Sequence, residues 1–447
     1  MLKIASTLKY KLLVVGCSAL LSPSLALASL CEGMVTHTKE LKVPLVGKPP
    51  YRKYYREPTF GTKVMRITNS SPDQVNKPVY STVQAWNSDE SYMIIYRSGN
   101  RKQDHYLVDG HTYEVIKKLN IRPSDLEDIF WSRKDPAKLF YFSKAAREHG
   151  HFYSMNVNSG KRTLIKDFAS VCPRAVTVPG NNVQMQSMDD DLFGFRCRDN
   201  SSKKKKYTAY TYRISTDEVN KLPLGEGTDW RNWTAPNASA SGKTVYLQGA
   251  VLTPDMKNVI HKFDMGKVSE HGNLGLNHKG EDVMYQIAFD PSPNGCNNDP
   301  DKGVAHLAEY NMETGKCRTI ISEDRGYPYP TSATHVSAQA YEKPGWVVMS
   351  SVGYPKQMKF FDGKKPADTL FSEIYLANTD PDNMVVCRLA HHRSKGKLAE
   401  NGDYKSYFGE PHVTISPSGT RVLFGSDWYD SGAVDTYVIE LPGYKRP

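Results

Sequence analysis

Three histidines recur at one position of a repeating pattern. His271, His335 and His412 each open a short segment in which apolar and polar residues alternate. Glu410 lies two residues before His412, with Pro411 stiffening the backbone between them. Three imidazoles and a carboxylate form a competent ligand set for a borderline divalent cation: Mn2+ or Zn2+, with Ca2+ as the third candidate. One histidine at a strand start ordinarily caps that strand by hydrogen bonding; three in register point to a shared centre. A second cluster, His391-His392-Arg393, offers imidazoles that titrate near neutrality and a guanidinium that grips carboxylates. His391 and His392 are therefore candidate bases, and Arg393 a candidate substrate group. Trp230 and Arg231 set a cation beside an aromatic ring, a platform for a sugar carboxylate. The basic run 203–206 reads as a solvated hairpin tip.

These residues must be held by strands, because helical periodicity is almost absent. Runs with period two, separated by turn residues, fall into seven units at 81–116, 128–165, 183–222, 232–263, 271–321, 335–389 and 413–441. The last carries Ser416-Pro417-Ser418-Gly419 at its first turn and supplies three strands, where the others supply about four. An orphan strand at 63–68 precedes the first unit and makes good the deficit. The pattern predicts an all-β, seven-bladed β-propeller whose ring is closed by an N-terminal strand, placed outermost in the last blade. A β-sandwich or β-helix would leave that strand unexplained. Innermost strands of a propeller run beside its axis, so His271, His335 and His412 are expected to ring one mouth of the channel.

Residues 1–28 read as a secretory signal, with a Lys-bearing start, an apolar stretch from Leu12 to Leu21 and Ala26-Leu27-Ala28 as the cleavage site. Residues 29–60, rich in proline, read as an irregular arm, and 61–447 as one propeller domain. No other stretch is long enough to span a bilayer, so a secreted or periplasmic location is expected. Removing Lys3, Lys9 and Lys11 with the leader lowers the formal charge from +10 to +7, which suits an acidic polysaccharide or oligosaccharide. Nucleic acid has only charge to recommend it, and a monomer is expected. Six cysteines remain, favouring disulfides in an oxidising compartment. Cys172 with Cys197 and Cys296 with Cys317 are plausible local pairs, leaving Cys31 for Cys387.

The motifs around His271, Thr334-His335-Val336-Ser337 and Leu389-Ala390-His391-His392-Arg393-Ser394 with Glu410-Pro411-His412 resemble a family of exported bacterial propellers related to oligogalacturonate lyase, and more loosely ulvan-type propeller lyases. The likeness runs over roughly residues 265–440. It implies an axial metal held by histidines and a glutamine, one cluster being His-Pro-His. Here Glu410 replaces the first of those histidines, His412 matches the second, and Tyr407 takes the place of the glutamine. His271 resembles a blade-five ligand, and His335 matches a family histidine.

The implied chemistry is β-elimination on a uronate-containing glycan. Neutralising the C6 carboxylate acidifies the C5 proton, which His391, His392 or Tyr407 then removes. A non-catalytic TolB-like periplasmic propeller, binding a glycan or protein partner, is the competing reading. On that reading the histidines line a channel.

Overall fold

Short β-branched and aromatic runs punctuated by Gly and Asp turns cannot bury themselves alone, so they pair antiparallel and stack face to face. The structure, a computed structural model, describes residues 30–447 except 100–101, 124–125, 146, 173–175, 178–185, 200–203, 228–233, 264–268, 290–303, 332–333, 353–362 and 396–403. Seven antiparallel sheets form the blades of a β-propeller, as the repeat predicted. Blades one to six each hold four strands. Blade six is typical, running His335–Ser337, Trp346–Ser350, Glu373–Asn378 and Val385–His391 from the axis outward. Blade five runs Ser269–Leu276, Asp282–Ala288, Ala305–Asn311 and Cys317–Ser322.

Blade seven closes the ring. Thr414–Ile415, Arg421–Ser426 and Asp435–Glu440 come from the C-terminal end of the chain, and Lys63–Arg66 pairs antiparallel with the last of these, Val64 opposite Ile439. Its first turn is set by Gly419, whose φ of +76° suits glycine and whose N–H donates to Ser416 O at 2.9 Å. Val64 is fully buried among Ile374, Leu389, Ile415, Phe424 and Ile439, so the N-terminal strand seals the apolar layer between blades six and seven. A second layer, between blades two and three, is built of phenylalanines. Phe168 and Phe195 ring centroids lie 4.7 Å apart, and those of Phe142 and Phe152 4.8 Å.

Three details differ from the sequence reading. The closing strand is not outermost: Tyr54–Arg56 adds a fifth strand outside it, held by the Tyr54 hydroxyl donating to Glu440 at 2.6 Å and by Lys63 over the Tyr54 ring. The arm thus contains strands, because non-local partners supply pairing that its proline-rich sequence does not signal; Leu41–Lys42 likewise pairs with Pro366–Ala367. Blade one begins earlier than expected, at Val75–Pro78, and 79–85 leaves the ladder before Trp86 pairs with Met93. Disulfides join Cys31 to Cys387 and Cys172 to Cys197, as expected; Cys317 is also disulfide-bonded, and Cys296 lies outside the described residues.

Polar side chains from four blades, with a backbone carbonyl from a fifth, meet near the axis. Asn273 Oδ1 accepts from Ala338 N and Gln339 Nε2, Gln84 Nε2 donates to Gln339 O and Ile415 O, and Arg133 donates to Gln339 Oε1. Asn273 is two residues beyond His271 and Gln339 four beyond His335, so these bonds mark where the innermost strands converge. Among the described residues no helix is long and apolar enough to cross a membrane.

Candidate metal centre

The starts of three innermost strands bring the predicted histidines together. His335 is the first residue of its strand, and His271 sits at a break in register between Ser269 and Gly272. His412 precedes Thr414–Ile415 with φ at +43°, a left-handed conformation that costs a non-glycine residue energy and is tolerated where the surroundings impose it. The His271 and His335 rings stack at 4.2 Å and 24°, and His335 and His412 lie 4.4 Å apart. Glu410 Oε2 is 3.5 Å from His335 Nε2 and 3.6 Å from His412 Nε2. All three side chains are buried.

This geometry fits a cation better than a hydrogen-bonded cluster. One ligand atom from each of His335, Glu410 and His412 lies within 4.8 Å of the other two. Ligands bound at about 2.0–2.2 Å in tetrahedral or octahedral geometry stand about 3.0–3.5 Å from one another. Both ring nitrogens of His412 are buried and make no hydrogen bond among the described residues. Burial foremost, then Lys77, His335 and His271, hold His412 well below its ordinary pKa, which keeps it in the neutral, ligating form. His271 is not in the set. Its Nδ1 lies 3.0 Å from Thr334 O; a carbonyl only accepts, so Nδ1 carries the proton and Nε2 the lone pair. His271 is also only half-buried, unlike the other three.

Two residues of the centre escaped the sequence reading, both from blade one. Lys77 is fully buried and its ammonium donates to Phe408 O at 3.1 Å and Glu410 O at 3.0 Å. Tyr80 sets its ring against all three imidazoles, at 5.0 Å from His412, 5.7 Å from His335 and 6.2 Å from His271. No local pattern marks either one; ring closure alone brings blade one beside blade seven. Tyr407 does reach the cluster, its ring 5.0 Å from that of His412.

The His391-His392-Arg393 cluster is placed differently from the expectation of a loop entering the mouth. His391 ends the outer strand of blade six, fully buried, with Nδ1 3.6 Å from Glu57 and Nε2 3.9 Å from Glu373, and its ring packs on Phe60. Arg393 donates to Glu57 at 2.8 Å and to His391 O at 2.7 Å, and stacks on Trp428. Its guanidinium is fully buried and engaged inside the protein. Burial alone would raise the Glu57 carboxyl, but His391 and Arg393 outweigh it and hold it near 2. His392 uses both ring nitrogens: Nε2 faces Ser351 O at 2.9 Å, and Nδ1 accepts from Ser394 N at 2.9 Å. No lone pair remains for a base's part. Trp230 and Arg231 lie outside the described residues.

No family model matches the chain, and no curated protein matches it either. Solved structures do. Oligogalacturonate lyase in complex with manganese aligns with a TM-score of 0.58 at 16% identity, covering 91% of this chain and 99% of the other. Oligogalacturonate lyase from Vibrio parahaemolyticus aligns with a TM-score of 0.58 at 14% identity, covering 88% and 97%. A TolB structure from Agrobacterium tumefaciens reaches only 0.33 at 13% identity, covering 57% and 84%. At these identities the likeness speaks to architecture: the chain has the seven-bladed propeller fold of the oligogalacturonate lyases.

Proposed function

We propose that the chain is an exported, lyase-like propeller that cleaves a uronate-containing glycan by β-elimination with a divalent cation at His335, Glu410 and His412. The observation that carries this reading is the buried His-Glu-His set at one mouth of the propeller. Its donors match a borderline cation such as Mn2+ or Zn2+, and manganese is the ion named with a structure of the same fold. When bound, the cation would neutralise the C6 carboxylate and so acidify the C5 proton.

His271 is the residue we assign as base, in place of His391 or His392. Its Nε2 lone pair takes the C5 proton, the C–H electrons form the C4–C5 double bond, and the C4–O bond breaks with its pair leaving on the glycosidic oxygen. Tyr407, whose ring lies 5.0 Å from that of His412, is the residue we assign to return a proton to that oxygen. Arg231 and Trp230 remain the sequence's candidates for gripping the sugar. The disulfides suit an oxidising compartment, in keeping with export.

The test pairs metal analysis with product detection. Purified protein should hold about one divalent cation per chain, and His412→Ala should lose it. The metal-loaded parent should produce the ultraviolet absorbance of an unsaturated uronate from some member of a panel of pectic, ulvan-type and glucuronan oligomers. Absence of product across that panel would replace this reading with a binding protein.

A further inference from the structure

We propose that His392 is a positioning residue, a buried imidazole with one arm ending on Thr334, whose carbonyl orients His271, and the other ending beside Glu410, which forms the cation set with His335 and His412. The proposal rests on the reading of those three residues as a cation site with His271 beside them. The tautomer of His392 follows from its partners. Ser351 O can only accept, so Nε2 bears the proton; Ser394 N–H can only donate, so Nδ1 bears the lone pair.

Each nitrogen starts a separate arm. From Nε2, Ser351 continues through its hydroxyl to Thr334 Oγ1 at 3.2 Å. Thr334 precedes His335 in the chain, and its carbonyl orients His271 at 3.0 Å. From Nδ1, Ser394 continues through its hydroxyl, which donates to Gly409 O next to Glu410. The hub itself is pinned: Ser426 Oγ donates to His392 O at 2.7 Å, and Ser372 Oγ lies 3.3 Å from Nε2. His392, Ser351, Thr334, Ser372, Ser394 and Ser426 are all fully buried, so no water competes for these bonds. Outer partners of this kind fix the orientation of metal ligands, and losing one typically costs about 10–100-fold in affinity or activity.

The two arms can be cut separately. A glutamine side chain places its amide nitrogen near the position of Nε2 and keeps the Ser351 arm. An asparagine places its oxygen near Nδ1 and keeps the Ser394 arm. The measurement is Mn2+ titration of the full chain, with kcat and KM on the best oligomer and thermal midpoints recorded alongside. We expect His392→Gln and Ser394→Ala to weaken Mn2+ binding about 10–100-fold. His392→Asn should keep Mn2+ affinity within about threefold of the parent while lowering kcat about 10–100-fold at little change in KM. General structural damage would move both readouts together, so this split is the diagnostic result. Parent-like Mn2+ affinity in both His392→Gln and Ser394→Ala would overturn the proposal and leave the cation site standing. Should the His392 variants fail to fold, Ser394→Ala and Ser351→Ala decide it, the first expected to lose cation affinity and the second turnover; parent values in both overturn it. A parent that binds no Mn2+ overturns the cation reading and this proposal with it. A parent that binds Mn2+ and cleaves nothing overturns only the lyase reading, since the affinities of His392→Gln and Ser394→Ala still decide the matter.

Discussion

Glu410 is a carboxylate buried beside two imidazoles, and its removal should be read through the cation. Glu410→Gln keeps the shape but removes the charge, so Mn2+ affinity should drop by more than the 10–100-fold typical of an outer partner, about 10²-fold or beyond; calorimetric titration checks it. Two other buried histidines govern stability against pH. Burial foremost lowers His306 to about 4, its Nε2–H donating to Pro328 O at 2.9 Å, and lowers His392 to about 3. A histidine neutral in the fold but ordinary in the unfolded chain leaves stability intact above about 6.5. It removes stability as pH falls from there toward its folded value. For His306 the full loss is about 3 kcal/mol. Glu57, depressed to about 2, acts in a lower window: its contribution is present above about 4.5 and fades as pH falls toward 2. Urea midpoints should therefore be flat from pH 8 to 7, fall below 6.5 and fall again below 4.5. His306→Asn should lessen the first fall without touching the second.

At the scale of elements, ring closure is the joint to test. Val64 is fully buried in the strand that completes blade seven, opposite Ile439 and among apolar side chains of two blades. Val64→Asp would bury a charge among apolar side chains, a change that costs about 3–5 kcal/mol. Because that strand is also stapled by the outer strand Tyr54–Arg56, the expected product is a chain cut by protease in the arm, with the Cys31–Cys387 disulfide still holding the fragment. Cleavage at no faster a rate than in the parent would mean that closure depends on other contacts. Lys77 belongs to this scale too, since the first strand of blade one reaches the Glu410 segment only when the ring is shut.

At the scale of the molecule, the formal charge of +10 should draw anionic chains to the propeller and make their binding salt-dependent. Binding of acidic oligomers should weaken several-fold between about 0.05 and 0.5 M salt, as the Debye length shrinks from roughly 14 to 4 Å; a neutral glycan of the same length should show no such trend. Much of the architecture was legible in the chain itself. Period-two runs, turn residues and an orphan strand specify seven blades and their closure, because strand patterning is local and the blades repeat. The three strand-start histidines and Glu410 were legible for the same reason: equivalent positions in successive repeats meet at the axis. Tertiary structure alone decided the rest. Lys77 and Tyr80 joined the centre across a contact between the first and last blades, which nothing local announces. His391 and His392 stood out in the sequence because imidazoles are versatile; the fold buries both and engages the two ring nitrogens of His392 with Ser351 and Ser394. Which part a histidine plays depends on what faces its nitrogens, and that is set by neighbours distant in sequence.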